Sequence, residues 1–233
     1  MPDVDVDESS IAVEEGRKNM AGGFKKVRSW FAGNRFHGLE GNALSVGAST
    51  LRDSSITVKG KDNSIEIGSG CSIEGLRIEI LGDGNQVRIG NSLRVRHVEI
   101  HVEDAGCRVE LESDSTFWGA QQGLIRMVAN EGTALRIGRD CLVGRSVNLR
   151  TGDGHSIVDL DGRRLNPSQD VSVGDHVWVG ERVTVLKGAV VGDHCVVGAD
   201  SVVTKALPES NCTLAGSPAV VLKRGTDWKG ERI

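Results

Sequence analysis

The chain has 233 residues, 31 of them Gly, with four Trp, four Phe, no Tyr and a formal net charge of −4. Glycine is well above the ~7% of an average protein, and so few aromatics exclude a wide core built on rings. An acidic balance with no basic footprint argues against nucleic acid, and no apolar run nears the ~18 residues of a membrane span.

The first residues, MPDVDVDESS, are acidic and have no apolar h-region, so no signal peptide is expected. The five cysteines (71, 107, 141, 195, 212) are odd in number and lack CxxC spacing. They read as reduced, small hydrophobes of a cytoplasmic protein. Residues 1–40 form a separate segment. "EEGRKNMAGGFKKVRSWFAGNRF" sets Phe24, Val27, Trp30 and Phe31 on one helical face, with Lys25, Lys26 and Arg28 on the others. This predicts a helical cap over the open first coil of a repeat. The alternative is a basic amphipathic helix, residues 24–31, resting weakly on a membrane surface.

Residues 41–216 are expected to form one domain of strands. Asn42-Ala-Leu-Ser-Val-Gly, Asn63-Ser-Ile-Glu-Ile-Gly and Asn85-Gln-Val-Arg-Ile-Gly share one pattern, echoed from Cys107 and Thr133. Their spacings of 21, 22, 22 and 26 read as full coils with extra residues at corners. From Ile137-Gly138 and Val143-Gly144 the period tightens to six. It breaks over Gly152 to Gln169, "GDGHSIVDLDGRRLNPSQ", a polar stretch predicted to leave the domain as a long loop; such loops are often functional.

The period then returns as "VGDHVWVGERVTVLKGAVVGDHCVVGADSVVTK", with Val at 173, 179, 185, 191, 197 and 203. A helix needs apolar residues at i, i+3, i+4 and i+7. A period of six suits a short strand plus a tight turn, and three such units close one triangular coil of 18 residues. Each Val points inward and stacks on the Val 18 residues later, so Val173 sits under Val191. A C-terminal tail, 217–233, follows.

"GDHVWVG", "GADSVVTKALP" and "AGSPAVVLKR" together resemble the left-handed β-helix, hexapeptide-repeat acyltransferases. "VNLRTGDGH…GDHVWVG" is similar to the acetyl-CoA-dependent sugar and polysaccharide O-acetyltransferases among them. The resemblance implies an all-β fold: a left-handed parallel β-helix, a homotrimer of parallel prisms, acetyl-CoA in a groove between subunits and the acceptor hydroxyl at the extruded active-site loop. Spacing alone does not set the handedness.

His155 is the candidate general base. Transfer to a hydroxyl needs its proton removed, and a positioned His supplies typically ~10²–10⁴-fold in rate. Asp153 either orients the imidazole or merely forms the turn in "TGDGH". Trp178 interrupts an outward row of Thr184, Val190, Val196 and Val202, so it marks a contact surface; in the family the matching Trp lies near the thioester. The resemblance further assigns cofactor contact to Gly180, Glu181, Ala199, Thr204, Lys205 and Lys223. A backbone N–H at Gly180–Glu181 would meet the thioester oxygen, and the lysines would meet phosphate. Their plain reading is solvated edge charge. Arg163 and Arg164 would suit an acidic acceptor, and their plain reading is solvated loop surface. His176 and His194 recur in GDH 18 apart and read as corner residues. No metal is expected, because the paired His of the zinc-binding β-helix relatives is missing.

The function expected is O-acetylation of a sugar or bacterial polysaccharide of capsule or lipopolysaccharide, by His-assisted direct transfer. The alternatives are another small acceptor, such as serine or an amino-sugar nucleotide, and a silent β-helix scaffold.

Overall fold

Alternation of apolar and polar residues dictates the strands. In Ser64–Ile67 and Ala43–Val46 every second side chain is buried and the others face water, the period-2 signature of a strand with one wet face. Such strands need partners on both edges, and the chain supplies them by coiling. The computed structural model describes residues 11–12 and 33–231 and is a parallel β-solenoid of eight turns with three sheet faces.

In the second turn the chain runs along the first face at Ser64–Ile67, the second at Ser72–Glu74 and the third at Arg77–Leu81. Pairing along the first face joins Val46 to Ile67, Ile67 to Ile89, Ile89 to Leu111 and Leu111 to Ile137. These steps are the 21, 22, 22 and 26 of the sequence, so the looser upstream repeats belong to the same prism. Val173 pairs with Val191 as expected. Between Ile137 and Val173 the step is 36, twice 18: one coil plus the extruded loop.

The core is a narrow column of stacked aliphatics, including Val143, Val173, Val179, Val191 and Val197, with Phe117 as its one large ring among the described residues. Polar side chains seal one corner. Asn42 Oδ1 accepts from the Asn63 backbone N–H, Asn63 Oδ1 from that of Asn85, and Asn85 Oδ1 from that of Cys107. Each Nδ2 in turn donates to a carbonyl, of Gly60, Gly82 and Asp104. Buried amides in this ladder are thus satisfied from coil to coil. The five cysteines are buried free thiols; burial pushes the Cys141 thiol up to about 12. At Gly174 a Cβ would run into the backbone of Gly192 and Asp193 in the next coil, which explains the Gly after Val173.

The helical face expected over 24–31 lies outside the described residues. Where segment 1–40 is described it adds strands to the solenoid. Ile11–Ala12 pair in parallel with Leu44 and Ser45, and Arg35–His37 form the first strand of the third face. At the other end Cys212–Gly216 pairs antiparallel with Ala219–Arg224, the one antiparallel strand pair among the described residues. No helix of the described residues is long and apolar enough to cross a membrane.

Candidate active site

The prism's corners sort the predicted site residues into groups. The corner between the third and first faces carries Asp153, His155, Arg163, Arg164, Thr204 and Lys205, because strands Asn148–Arg150 and Val202–Val203 both end there. The corner between the second and third faces carries Gly180, Glu181 and Ala199, after Trp178–Val179 and Val196–Val197. Trp178 and Lys223 lie on the second face itself. Within one chain, therefore, the His loop and the glycine corner sit on different edges of the prism.

The loop leaves after Thr151 and is a small hairpin. Asp159 N–H donates to the Arg163 carbonyl and Leu165 N–H to that of Ile157, at 2.9 and 2.7 Å. Asn166, buried, ties its base: Nδ2 donates to Asp153 Oδ2 at 2.7 Å and to the His155 carbonyl at 2.8 Å, and Oδ1 accepts from Ile157 N–H. Lys187 Nζ reaches the same Asp153 oxygen at 2.6 Å. These bonds, Lys187 first and Asn166 next, hold the Asp153 carboxyl below its usual range. Asp153 therefore anchors the loop and faces Lys187, not the imidazole. The His155 ring is exposed and has no hydrogen-bond partner among the described residues. Such a ring is open to a substrate hydroxyl. Four aliphatics of the loop, Ile157, Val158, Leu160 and Leu165, stand exposed, Leu160 completely.

Arg163 is spent inside the loop on Asp159 and Asp161, at 3.2 and 3.4 Å. Arg164 pairs with Glu131 at 2.6 Å and so fastens the hairpin to the solenoid. Neither is a free cation. Lys205 and Lys223 are exposed and have no carboxylate partner among the described residues. Both remain available to an anion.

At the glycine corner the Gly180 N–H is consumed by the Val197 carbonyl, 2.8 Å away. The Glu181 N–H has no acceptor among the described residues, and neither has that of Ala199, so both backbone donors are left free there. The Glu181 carboxylate pairs with Arg145 at 2.9 Å, and both line a cleft of about 550 Å³ with Gln121, Gln122 and Arg182.

Trp178 is 43% exposed and lies at a tilt to Trp228, whose ring centroid is 6.3 Å away. Trp228 also stacks on His176 at 4.6 Å, and its indole N–H donates to the His176 carbonyl. His176 Nδ1 lies 2.7 Å from Asp140 Oδ2, and Nε2 lies 3.1 Å from the Trp228 carbonyl and 3.4 Å from Asp227. Burial works to lower the His176 pKa, but the bonds to Asp140 and Trp228 outweigh it and leave it raised. His176 and His194 do stack on one corner, 5.1 Å apart, yet His176 holds the C-terminal segment instead of facing open solvent.

Residues 170–205 match the family model described as bacterial transferase hexapeptide (six repeats). That stretch of the chain carries the hexapeptide repeat. Among curated relatives, this hexapeptide-repeat chain is 30% identical over 149 residues to the polysialic acid O-acetyltransferase of Neisseria meningitidis, covering 63% of this chain and 66% of that one. It is 46% identical over 93 residues to the polysialic acid O-acetyltransferase of Escherichia coli O1:K1 / APEC, covering 40% of this chain and 30% of that one. These matches thus span less than two thirds of either relative. Its fold is similar to that of the polysialic acid O-acetyltransferase OatWY, with a TM-score of 0.79, 28% identity and coverage of 86% and 92% of the two chains. It is similar also to the polySia-specific acetyltransferase NeuO, with a TM-score of 0.69, 28% identity and coverage of 96% and 84%.

Sequence reasoning missed Lys187, Asn166 and Trp228. Lys187 had a readable signal: it lies 18 residues before Lys205 and so on the same corner. Asn166 and Trp228 fall where the period gives no register.

Proposed function

We propose that this chain is an O-acetyltransferase that moves acetyl from acetyl-CoA to a hydroxyl of a bacterial polysaccharide of capsule or lipopolysaccharide. The observation behind it is His155, an exposed and unpartnered imidazole on a loop pinned by Lys187–Asp153–Asn166, in a fold similar to two polysialic acid O-acetyltransferases. His155 takes the proton as the acceptor oxygen attacks the thioester carbonyl and returns it to the departing thiolate. The free Glu181 N–H stabilises the oxyanion. Lys205, Lys223, Thr204 and Ala199 contact the CoA, and Trp178 flanks its thioester end. An acidic acceptor would meet Arg163, the more exposed of the two loop arginines, by displacing its longer ion pair, to Asp161.

The assembly in this reading is a parallel homotrimer of left-handed prisms, and two observations support contact between subunits. The His loop and the glycine corner are on different edges of one chain, so a site needing both takes one from each of two subunits. The bare aliphatics of the loop also cost free energy in water unless a neighbour covers them. The location in this reading is cytoplasmic, where acetyl-CoA is made available.

The test is release of free thiol from acetyl-CoA with a panel of neutral and acidic polysaccharides. The wild type should acetylate at least one, and His155→Ala should lower turnover by ~10²–10⁴-fold, with melting and acetyl-CoA affinity unchanged. Near-normal transfer by His155→Ala would refute the role of the base. No transfer to any acceptor would refute the enzyme.

A further inference from the structure

One corner breaks the regular coil spacing. From Arg96 to Trp118 the step is 22, and from Val98 to Ile125, just past the corner, it is 27. Five extra residues are therefore spent there, between the second and third faces. They make a tight turn. Ala120 N–H donates to the Gly123 carbonyl at 3.1 Å and Gly123 N–H to that of Ala120 at 2.9 Å. Ser146 N–H, in the next coil, donates to the same Gly123 carbonyl at 3.1 Å and seats the turn on that coil. The tip is Gln121-Gln122. Both side chains are exposed, and neither amide has a hydrogen-bond partner among the described residues.

The turn stands at the upstream end of the glycine corner. Phe117, Val143, Val179 and Val197 stack inward in successive coils. The residues that follow them are Trp118, Gly144, Gly180 and Gly198. Trp118 is thus the last side chain of its column before a bare strip of glycine. It is 46% exposed, and Arg96 lies over its ring, 5.9 Å from the centroid. Its indole N–H has no acceptor among the described residues. The cleft of about 550 Å³ runs from the turn to Glu181 and Arg182. The charges there are already matched, Arg145 to Glu181 at 2.9 Å and Arg182 to Asp200 at 2.6 Å. What is left to recognise a ligand is one ring and two primary amides. In the reading above, CoA takes Ala199, Thr204, Lys205 and Lys223, all in the coil of Val196–Val197 or beyond it. The side of Glu181 toward Trp118 is then open to the second substrate. Two coil steps separate them, roughly 10 Å, about the length of two sugar rings.

We propose that Trp118 and the Gln121–Gln122 turn form an acceptor subsite for an N-acetylated sugar, its ring stacked on the indole and its acetamido group paired with the glutamine amides. This rests on the acetyltransferase reading above. A carboxamide offers N–H donors and a carbonyl acceptor, the complement of an acetamido C=O and N–H. An exposed Trp offers a flat apolar face with one N–H at its edge, which suits the C–H face of a sugar ring rimmed by polar groups. With the neighbouring charges paired, the subsite reads the amide and not the net charge of the glycan. In the trimer this edge meets the next subunit's loop, so the bound sugar lies between the turn and the partner subunit's His155.

The full-length protein is titrated by calorimetry with sialic acid oligomers, which carry an acetamido group on each ring, and with their de-N-acetylated forms. The wild type should bind the acetylated form about tenfold more tightly. In Gln121→Ala/Gln122→Ala that preference should vanish, because both changes remove the same bonds. Trp118→Ala should weaken both forms severalfold, and Trp118→Phe should restore part of the loss. Acetyl-CoA affinity and sedimentation should match the wild type in all three variants. In transfer assays the acceptor KM should rise with kcat little changed. Absent binding, equal affinity for the two forms, or a preference that survives the double variant overturns the subsite. A change in sedimentation would make the turn a subunit contact, and weaker acetyl-CoA binding would give it to the cofactor; either also overturns it. Oligomer binding as described with no acetyl transfer would overturn the reaction and keep the subsite. Transfer with an unchanged acceptor KM in the double variant and in Trp118→Ala would do the reverse.

Discussion

Replacing Lys187 by Met removes one charge and keeps most of the stem. Lys187 Nζ and Asp153 Oδ2 are 2.6 Å apart, with the side chains 19% and 33% exposed. An exposed ion pair is worth ~0.2–1 kcal/mol and a hydrogen bond to a charged group in a drier place ~1.5–3 kcal/mol. This half-buried pair falls between, at about 1 kcal/mol. The loop's other ties remain: Asn166 to Asp153 and to the His155 carbonyl, and Arg164 to Glu131. The loop should therefore open more often without detaching. About 1 kcal/mol corresponds to roughly fivefold faster amide exchange, read at Ile157 and Leu165, whose N–H groups are bonded within the loop. Exchange in the coils should not change, since no coil register depends on the loop. Turnover should drop severalfold, well short of the His155→Ala loss. Asp153→Asn should behave alike, and the double variant should add little, because both residues share the one ion pair and the new amide oxygen can still accept from Asn166. Unaltered loop exchange in Lys187→Met would refute the anchor. A turnover loss as deep as that of His155→Ala would place Lys187 in the chemistry.

Asn85→Ala strips Cys107 N–H and the Asp104 carbonyl of their buried partner. The expected loss is about 2–4 kcal/mol, read as a lower urea midpoint at unchanged m-value; a loss under ~0.5 kcal/mol would mean water replaces the amide. Docking of residues 225–231 should depend on pH through His176, whose ring meets Asp140, Asp227 and the Trp228 carbonyl, with His194 beside it. Its pKa is raised on folding, so its contribution is complete below its unfolded value of ~6.5 and fades as pH rises through the higher folded value. Exchange protection of 225–231, corrected for intrinsic rates, should fall across that alkaline window in the wild type and stay flat in His176→Gln; a flat wild-type profile would exclude the latch.

The coils were legible because their inward positions admit little but aliphatics. Val173 to Val203 shows this with almost no noise, and even the uneven upstream steps kept the Asn-x-apolar-x-apolar-Gly pattern that fixed their register. The loop was legible as its interruption. What it does locally was not. Asp153 looked like either a turn former or a partner of His155, and its real partners, Lys187 and Asn166, are 34 and 13 residues away. Arg163 and Arg164 looked like free cations until their carboxylates, two of them inside the same loop, came into view. Trp228 lies beyond the last repeat, so no period could bring it to Trp178.

The antiparallel return at the far end also decides how long the molecule can be. A stack of parallel coils has no intrinsic stop, since its last rung shows the same row of N–H and C=O groups as every rung before it. On the second face that row belongs to Cys212–Gly216, and Ala219–Arg224 folds back over it. The last rungs of the other faces, Val202–Val203 and Ala206–Leu207, are two residues each, too short to template another copy. The hairpin thus acts as a terminator of polymerisation, keeping a self-similar ladder a finite particle instead of a fibre.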